Sequence, residues 1–113
     1  MPLKSVLQAA IVVVIVLLPS ITRAEEFTVT QTNKTFMIKG VKVKNMTIKA
    51  GDTIIFLNED PWFHNIFSLS DTKSFYLGSY PQGQSKSATF EKPGHLDVEC
   101  AIHAGMLIKL EVK

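Results

Sequence analysis

Cysteine occurs once in these 113 residues. It opens the run Cys100-Ala101-Ile102-His103-Ala104-Gly105-Met106, where thiolate, imidazole and thioether follow at three-residue steps. Upstream, His64 heads a second short segment, His64-Asn65-Ile66-Phe67. Two imidazole nitrogens and a thiolate in a trigonal set, with a weak, long thioether bond on the axis, make a blue-copper electron-transfer site. The four side chains imply one type 1 copper per chain, held by His64, Cys100, His103 and Met106. Zinc also takes cysteine and histidine, but thioether is not among its usual ligands. A cysteine-protease reading needs a base and an orienting third group beside the nucleophile. Cys100 with His103 supplies part of that, but the chain has no large insert to hold a substrate. With all four ligand positions filled, none is left for substrate, so no enzyme activity is expected.

Each residue has an ordinary alternative. A lone cysteine is often a small buried hydrophobe, Met106 can be plain core, and His103 can be a plain loop residue. The joint spacing favours the metal, because the chain holds only three histidines and two fall into the pattern. The third, His95, is an internal control: it lies five residues before Cys100, on the opposite strand face.

The elements that must position these groups read as β-strands. Period-two alternation runs through residues 27–31, 36–39, 41–44 and 46–50, and 54–57 is apolar on both faces, as a buried central strand would be. Asn58-Glu59-Asp60-Pro61 ends that strand, and 64–69 is a further strand. Residues 70–84 read as mostly loop, with a short helical turn over 74–77. Strands follow at 85–90, 94–100 and 106–112. Cys100 ends one strand pointing inward, Met106 begins the next pointing inward, and His103 lies near the tip of the tight connection between them. Short strands separated by turn residues predict an all-β Greek-key sandwich or barrel of about seven or eight strands.

The chain opens with a different kind of segment. Lys4, an apolar run over 9–18, Pro19 and the small-residue site Thr22-Arg23-Ala24 have the order of a secretory signal cleaved after Ala24. The run is short of the ~20 residues that span a bilayer; the rival reading is an uncleaved N-terminal anchor, against which Pro19 and the Ala24 site favour cleavage, and after cleavage no stable membrane insertion is expected. The organisation is therefore a signal peptide over 1–24 and one copper-binding domain over 25–113, exported or periplasmic. Without Lys4 and Arg23 the basic count falls from 12 to 10, equal to the acidic count. A near-neutral domain lacks the basic surface that nucleic-acid binding requires. A single thiol in an oxidising compartment should be paired between chains, reactive or occupied, and its neighbours favour occupied. Lys39, Lys42, Lys44 and Lys49 form either a steering face for an acidic partner or the solvated side of two strands.

The mature chain resembles the cupredoxins, the family that includes plastocyanin, pseudoazurin and amicyanin. His64-Asn65 and the 100–106 run carry the resemblance, and the gap from His103 to Met106 is similar to the short amicyanin-type loop, although residues 101–105 lack the prolines usual there. The resemblance implies that the Asn65 amide donates to the Cys100 sulfur and that its side chain ties the two ligand segments together. It implies a monomer that passes single electrons between a donor and an acceptor protein in transient encounters. The edge of His103 would be the electron port, bordered by Ala104 and by Trp62, which is either a docking residue or core. Two other roles use the same ligands: copper carriage or storage, and service as an accessory module of a redox system, such as amine oxidation.

Overall fold

A computed structural model describes residues 10–18 and 23–113. Most of the expected signal segment, including Thr22 of its cleavage site, lies outside the described residues. Among those described, no helix is long and apolar enough to cross a membrane.

The fold is a sandwich of two five-stranded sheets. The strands are β1 (Glu26–Thr32), β2 (Thr35–Ile38), β3 (Val41–Lys42), β4 (Asn45–Ile48), β5 (Asp52–Asn58), β6 (His64–Ser70), β7 (Lys73–Tyr80), β8 (Ser85–Phe90), β9 (Gly94–Glu99) and β10 (Leu107–Val112). One sheet runs β3-β2-β1-β5-β8 and the other β4-β10-β9-β6-β7. β1 pairs with β5 and β4 with β10 in parallel, and the remaining pairs are antiparallel.

Alternation builds the core. β5 buries Ile54 and Phe56 while Ile55 and Leu57 stay half-covered on its other face, so it is buried on one face rather than the expected two. Val29, Phe36, Ala88 and Phe90 join from the first sheet, and Ile66, Leu96, Val98, Ile108, Leu110 and Val112 from the second. Each large apolar side chain removed from water contributes about 1.5–3 kcal/mol. Phe36 meets Phe56 edge-on at 6.3 Å, and Phe75 of β7 meets Phe90 of β8 edge-on at 5.9 Å, closing one side of the sandwich.

Among the described residues ten strands stand where about seven or eight were expected. The main correction is β7, which replaces the expected loop and helical turn. Gly78 looked like turn punctuation. It instead serves an irregularity in the β6–β7 ladder: between the pairs Asn65–Ser79 and Phe67–Tyr76, β6 advances two residues and β7 three. Gly78 takes the extra step at φ 83°, a left-handed conformation open to glycine. Such bulges re-aim neighbouring side chains. Here Asn65 and Ile66 are both buried, side by side on one strand.

Candidate metal centre

Two connections meet at one end of the sandwich. The first is 59–63, between β5 and β6, and the second is 100–106, between β9 and β10. Buried Asn58 at the end of β5 shapes the first: its amide nitrogen donates to the Trp62 carbonyl at 2.8 Å and the Tyr80 carbonyl at 3.0 Å, and its carbonyl accepts the Asp60 N–H at 2.8 Å. The chain then delivers His64, wholly buried, as the first residue of β6.

In the second connection the Cys100 N–H donates to the Met106 carbonyl at 3.2 Å and the Met106 N–H to the His103 carbonyl at 3.3 Å. Gly105 turns the chain at φ 88°. Cys100 and Met106 are buried, and His103 is partly exposed. β6 and β9 share one ladder pair, Phe67–Glu99. Beyond it Asn65 takes over: its N–H donates to Cys100 Sγ at 3.5 Å, and its side-chain oxygen accepts the Ala101 N–H at 2.7 Å.

The donor atoms converge. Cys100 Sγ lies 3.6 Å from His64 Nδ1 and 3.9 Å from His103 Nδ1, and the two nitrogens are 3.1 Å apart. Among the described residues these three form a group whose ligand atoms all lie within 4.8 Å of one another. A point equidistant from the three lies about 2.1 Å from each, the length of a metal–imidazole bond. One cysteine sulfur and two imidazole nitrogens, with buried Met106 next along the chain, suit copper better than zinc or a hard cation. Burial foremost, then the adjoining His64 ring and the Lys34 charge, hold His103 below the usual imidazole range, against an opposing pull from Asp60. Its lone pair is thereby kept available at neutral pH.

Asp60 joins the site without having been read as a site residue. Its Oδ2 lies 2.7 Å from His64 Nε2. The only sequence signal is an acid four residues before a histidine, and the strand-ending turn around it accounted for that acid. Burial pushes its carboxyl up, but the Lys34 N–H, the His64 ring and the Asn33 N–H outweigh that and hold it below the usual carboxylate range. His95 stands apart, solvent-exposed and 3.7 Å from Glu111.

The rim is apolar. The Trp62 ring centre is 6.1 Å from that of His103, and Trp62 is 38% exposed. Phe63, Ile102 and Ala104 are exposed nearby. Beside Gly105 and Met106 lies a groove of about 360 Å³ lined by Lys34, Lys42, Lys44 and Lys109. That set differs from the expected lysine face: Lys49 instead pairs with Glu25 at 3.2 Å, and Lys39 does not line the groove.

A family profile described as copper binding proteins, plastocyanin/azurin family, matches residues 24–113. No curated protein sequence matches the chain. Among solved structures, an amicyanin variant in its Cu(I) form is 20% identical with a TM-score of 0.67, covering 78% of this chain and 82% of that one. Another amicyanin variant in its Cu(I) form gives 0.68 at 20% identity, covering 83% and 87%. The copper-containing nitrite reductase of Thermus scotoductus SA-01 gives 0.67 at 24% identity, covering 78% of this chain and 22% of that one. At these identities the structural likenesses establish the fold alone.

Proposed function

We propose, because the chain belongs to the plastocyanin/azurin family of copper-binding proteins, that it is an exported carrier of single electrons with His64, Cys100, His103 and Met106 as its copper ligands. Copper of the type 1 kind is its cofactor. When bound, the metal supplies a one-electron couple between Cu(II) and Cu(I). The observation that carries the reading is the convergence of Cys100, His64 and His103 inside the fold, with one edge reaching the surface.

The protein's part is to hold this set still. Asn65 fixes Cys100 from one side through its N–H, and through Ala101 it clamps the segment that bears His103. Donors held by hydrogen bonds from two sheet strands move little when charge changes, so little energy is spent on rearrangement. A hydrogen bond to the sulfur and an apolar shell around it tune the potential. His64 and Cys100 are shut away from water, which leaves the His103 edge as the port. The collar of Trp62, Phe63, Ile102 and Ala104 suits brief docking, since weak redox encounters use small interfaces. The reading includes a monomer, a donor and an acceptor protein, an exported or periplasmic location, and no enzyme activity, because four protein ligands leave no position for substrate.

One experiment covers the proposal. Cu(II) added to the protein should give an intense visible thiolate-to-copper band that saturates at one equivalent. Cys100→Ser should abolish the band, and His95→Ala should leave it intact. Self-exchange of electrons should then be fast. Slow exchange with easy handover of Cu(I) to a chelator would replace the electron carrier with a copper-storage protein. No band in the wild-type protein would overturn the site itself.

A further inference from the structure

Asp60 is 2% exposed, and its carboxylate is fully engaged. Oδ1 accepts the Asn33 N–H at 2.6 Å, and Oδ2 accepts the Lys34 N–H at 3.0 Å and meets His64 Nε2 at 2.7 Å. Asn33 and Lys34 turn their amides toward it from left-handed conformations, φ 51° and 57°. The Asp60 N–H is itself held by Asn58. This anion is built into the fold from three directions, at the Nε2 edge of the His64 ring, while Nδ1 meets the donor cluster.

A neutral imidazole has one N–H and one lone pair. A carboxylate at Nε2 can only accept, so the proton sits on Nε2 and the lone pair on Nδ1. That nitrogen is the one facing Cys100 and His103. A carboxylate behind a ligating imidazole fixes its tautomer and raises its basicity. A more basic nitrogen and a nearby buried negative charge both favour the more highly charged metal state. His103 differs, because its Nε2 has no partner among the described residues.

We propose that Asp60 is a positioning residue that locks His64 in its Nε2–H form and lowers the reduction potential of the copper by stabilising Cu(II) over Cu(I). The proposal rests on the copper reading above. Asp60→Asn keeps the size of the side chain and removes its charge. It should weaken Cu(II) binding about tenfold more than Cu(I) binding, which for a one-electron couple raises the potential by about 59 mV.

The test measures the potential by voltammetry, and Cu(I) and Cu(II) affinities by competition, in wild type and Asp60→Asn. Equal loss of both affinities with an unchanged potential would reduce Asp60 to a structural role and overturn the proposal. A second measurement needs no variant and stands even where Asp60→Asn fails to fold. Nitrogen-15 correlation spectra of the wild-type apo and Cu(I) proteins should place the His64 proton on Nε2, in slow exchange with water. A proton on Nδ1 would overturn the proposal. A wild-type protein that takes up no copper overturns the reading of the site instead, and its apo spectrum still tests the contact between Asp60 and His64.

Discussion

Met106 tests the site at the scale of one side chain, because it belongs to two environments. It is packed in the core among β-strand residues, and it follows His103 at the spacing of an axial thioether. A thioether on the axis is a weak bond that tunes the potential more than it retains the metal. Met106→Leu should therefore give a protein that still binds copper and is still coloured. Its potential should rise, since the lost donor stabilises Cu(II) more than Cu(I). Leucine fills nearly the same volume, so stability should change by less than about 1.5 kcal/mol. Voltammetry and a denaturation curve on one sample check both statements, and an unchanged potential would leave Met106 as core alone. The neighbouring ligands differ from one another in a similar way: His64 is sealed and braced, while His103 is open at its edge.

At the scale of elements, the β5–β6 connection matters most, and its organiser is Asn58 rather than any ligand. Asn58→Ala removes three hydrogen bonds inside the protein and leaves the Asp60 N–H and two carbonyls without them. Losses of this kind cost about 1–3 kcal/mol for each buried group left unsatisfied. The variant should unfold at distinctly lower denaturant, and it should bind Cu(II) more weakly because Asp60 and Trp62 lose their support. Normal copper affinity in a destabilised variant would separate the loop from the site. The same connection marks the limit of what the sequence reveals. Cys100, His103 and Met106 are legible because they are neighbours in the chain, and strand alternation sets the inward direction of Cys100 and Met106. Asp60 is not, because the amides that anchor it are 26 and 27 residues away and no local pattern announces them. β7 is hidden for another reason. As an edge strand it leaves Tyr76 exposed, and Gly78 interrupts its period where the ladder shifts.

For the whole molecule, a near-neutral count of charges conceals their arrangement. Lys34, Lys42, Lys44 and Lys109 gather around a single groove next to Met106. Such a patch raises the encounter rate with an acidic partner, and salt screens it. Replacing Lys42 and Lys44 together by Glu should slow association with an acidic redox protein at low ionic strength. The difference should shrink in high salt, while the visible spectrum stays unchanged. A stopped-flow salt series decides this, and equal rates at low salt would make the lysines an ordinary solvated face. At the opposite edge, Asp52 is buried and accepts the N–H groups of Glu25 and Lys49 at 2.8 Å each. The Glu25 bond foremost, with Lys49, outweighs burial and holds its carboxyl below the usual range. A carboxyl lowered on folding adds stability above its unfolded value of about 3.9. That stability is lost as pH falls through the lower folded value, so Asp52→Asn should flatten the acid limb of the stability curve. The Glu25 contact has one more consequence. A chain trimmed after Ala24 would turn that backbone N–H into a charged α-amino group, set against the one buried acid that already binds it. The fold would then be most stable with its terminus at Glu25. A chain starting at Glu26 leaves Asp52 a donor short and should be less stable by about 1–3 kcal/mol. A chain one residue too long carries its new charge about 3.8 Å out of place. Intact mass of the protein recovered from cells, beside denaturation of the three lengths, would reveal whether a cleavage point and the most stable terminus coincide.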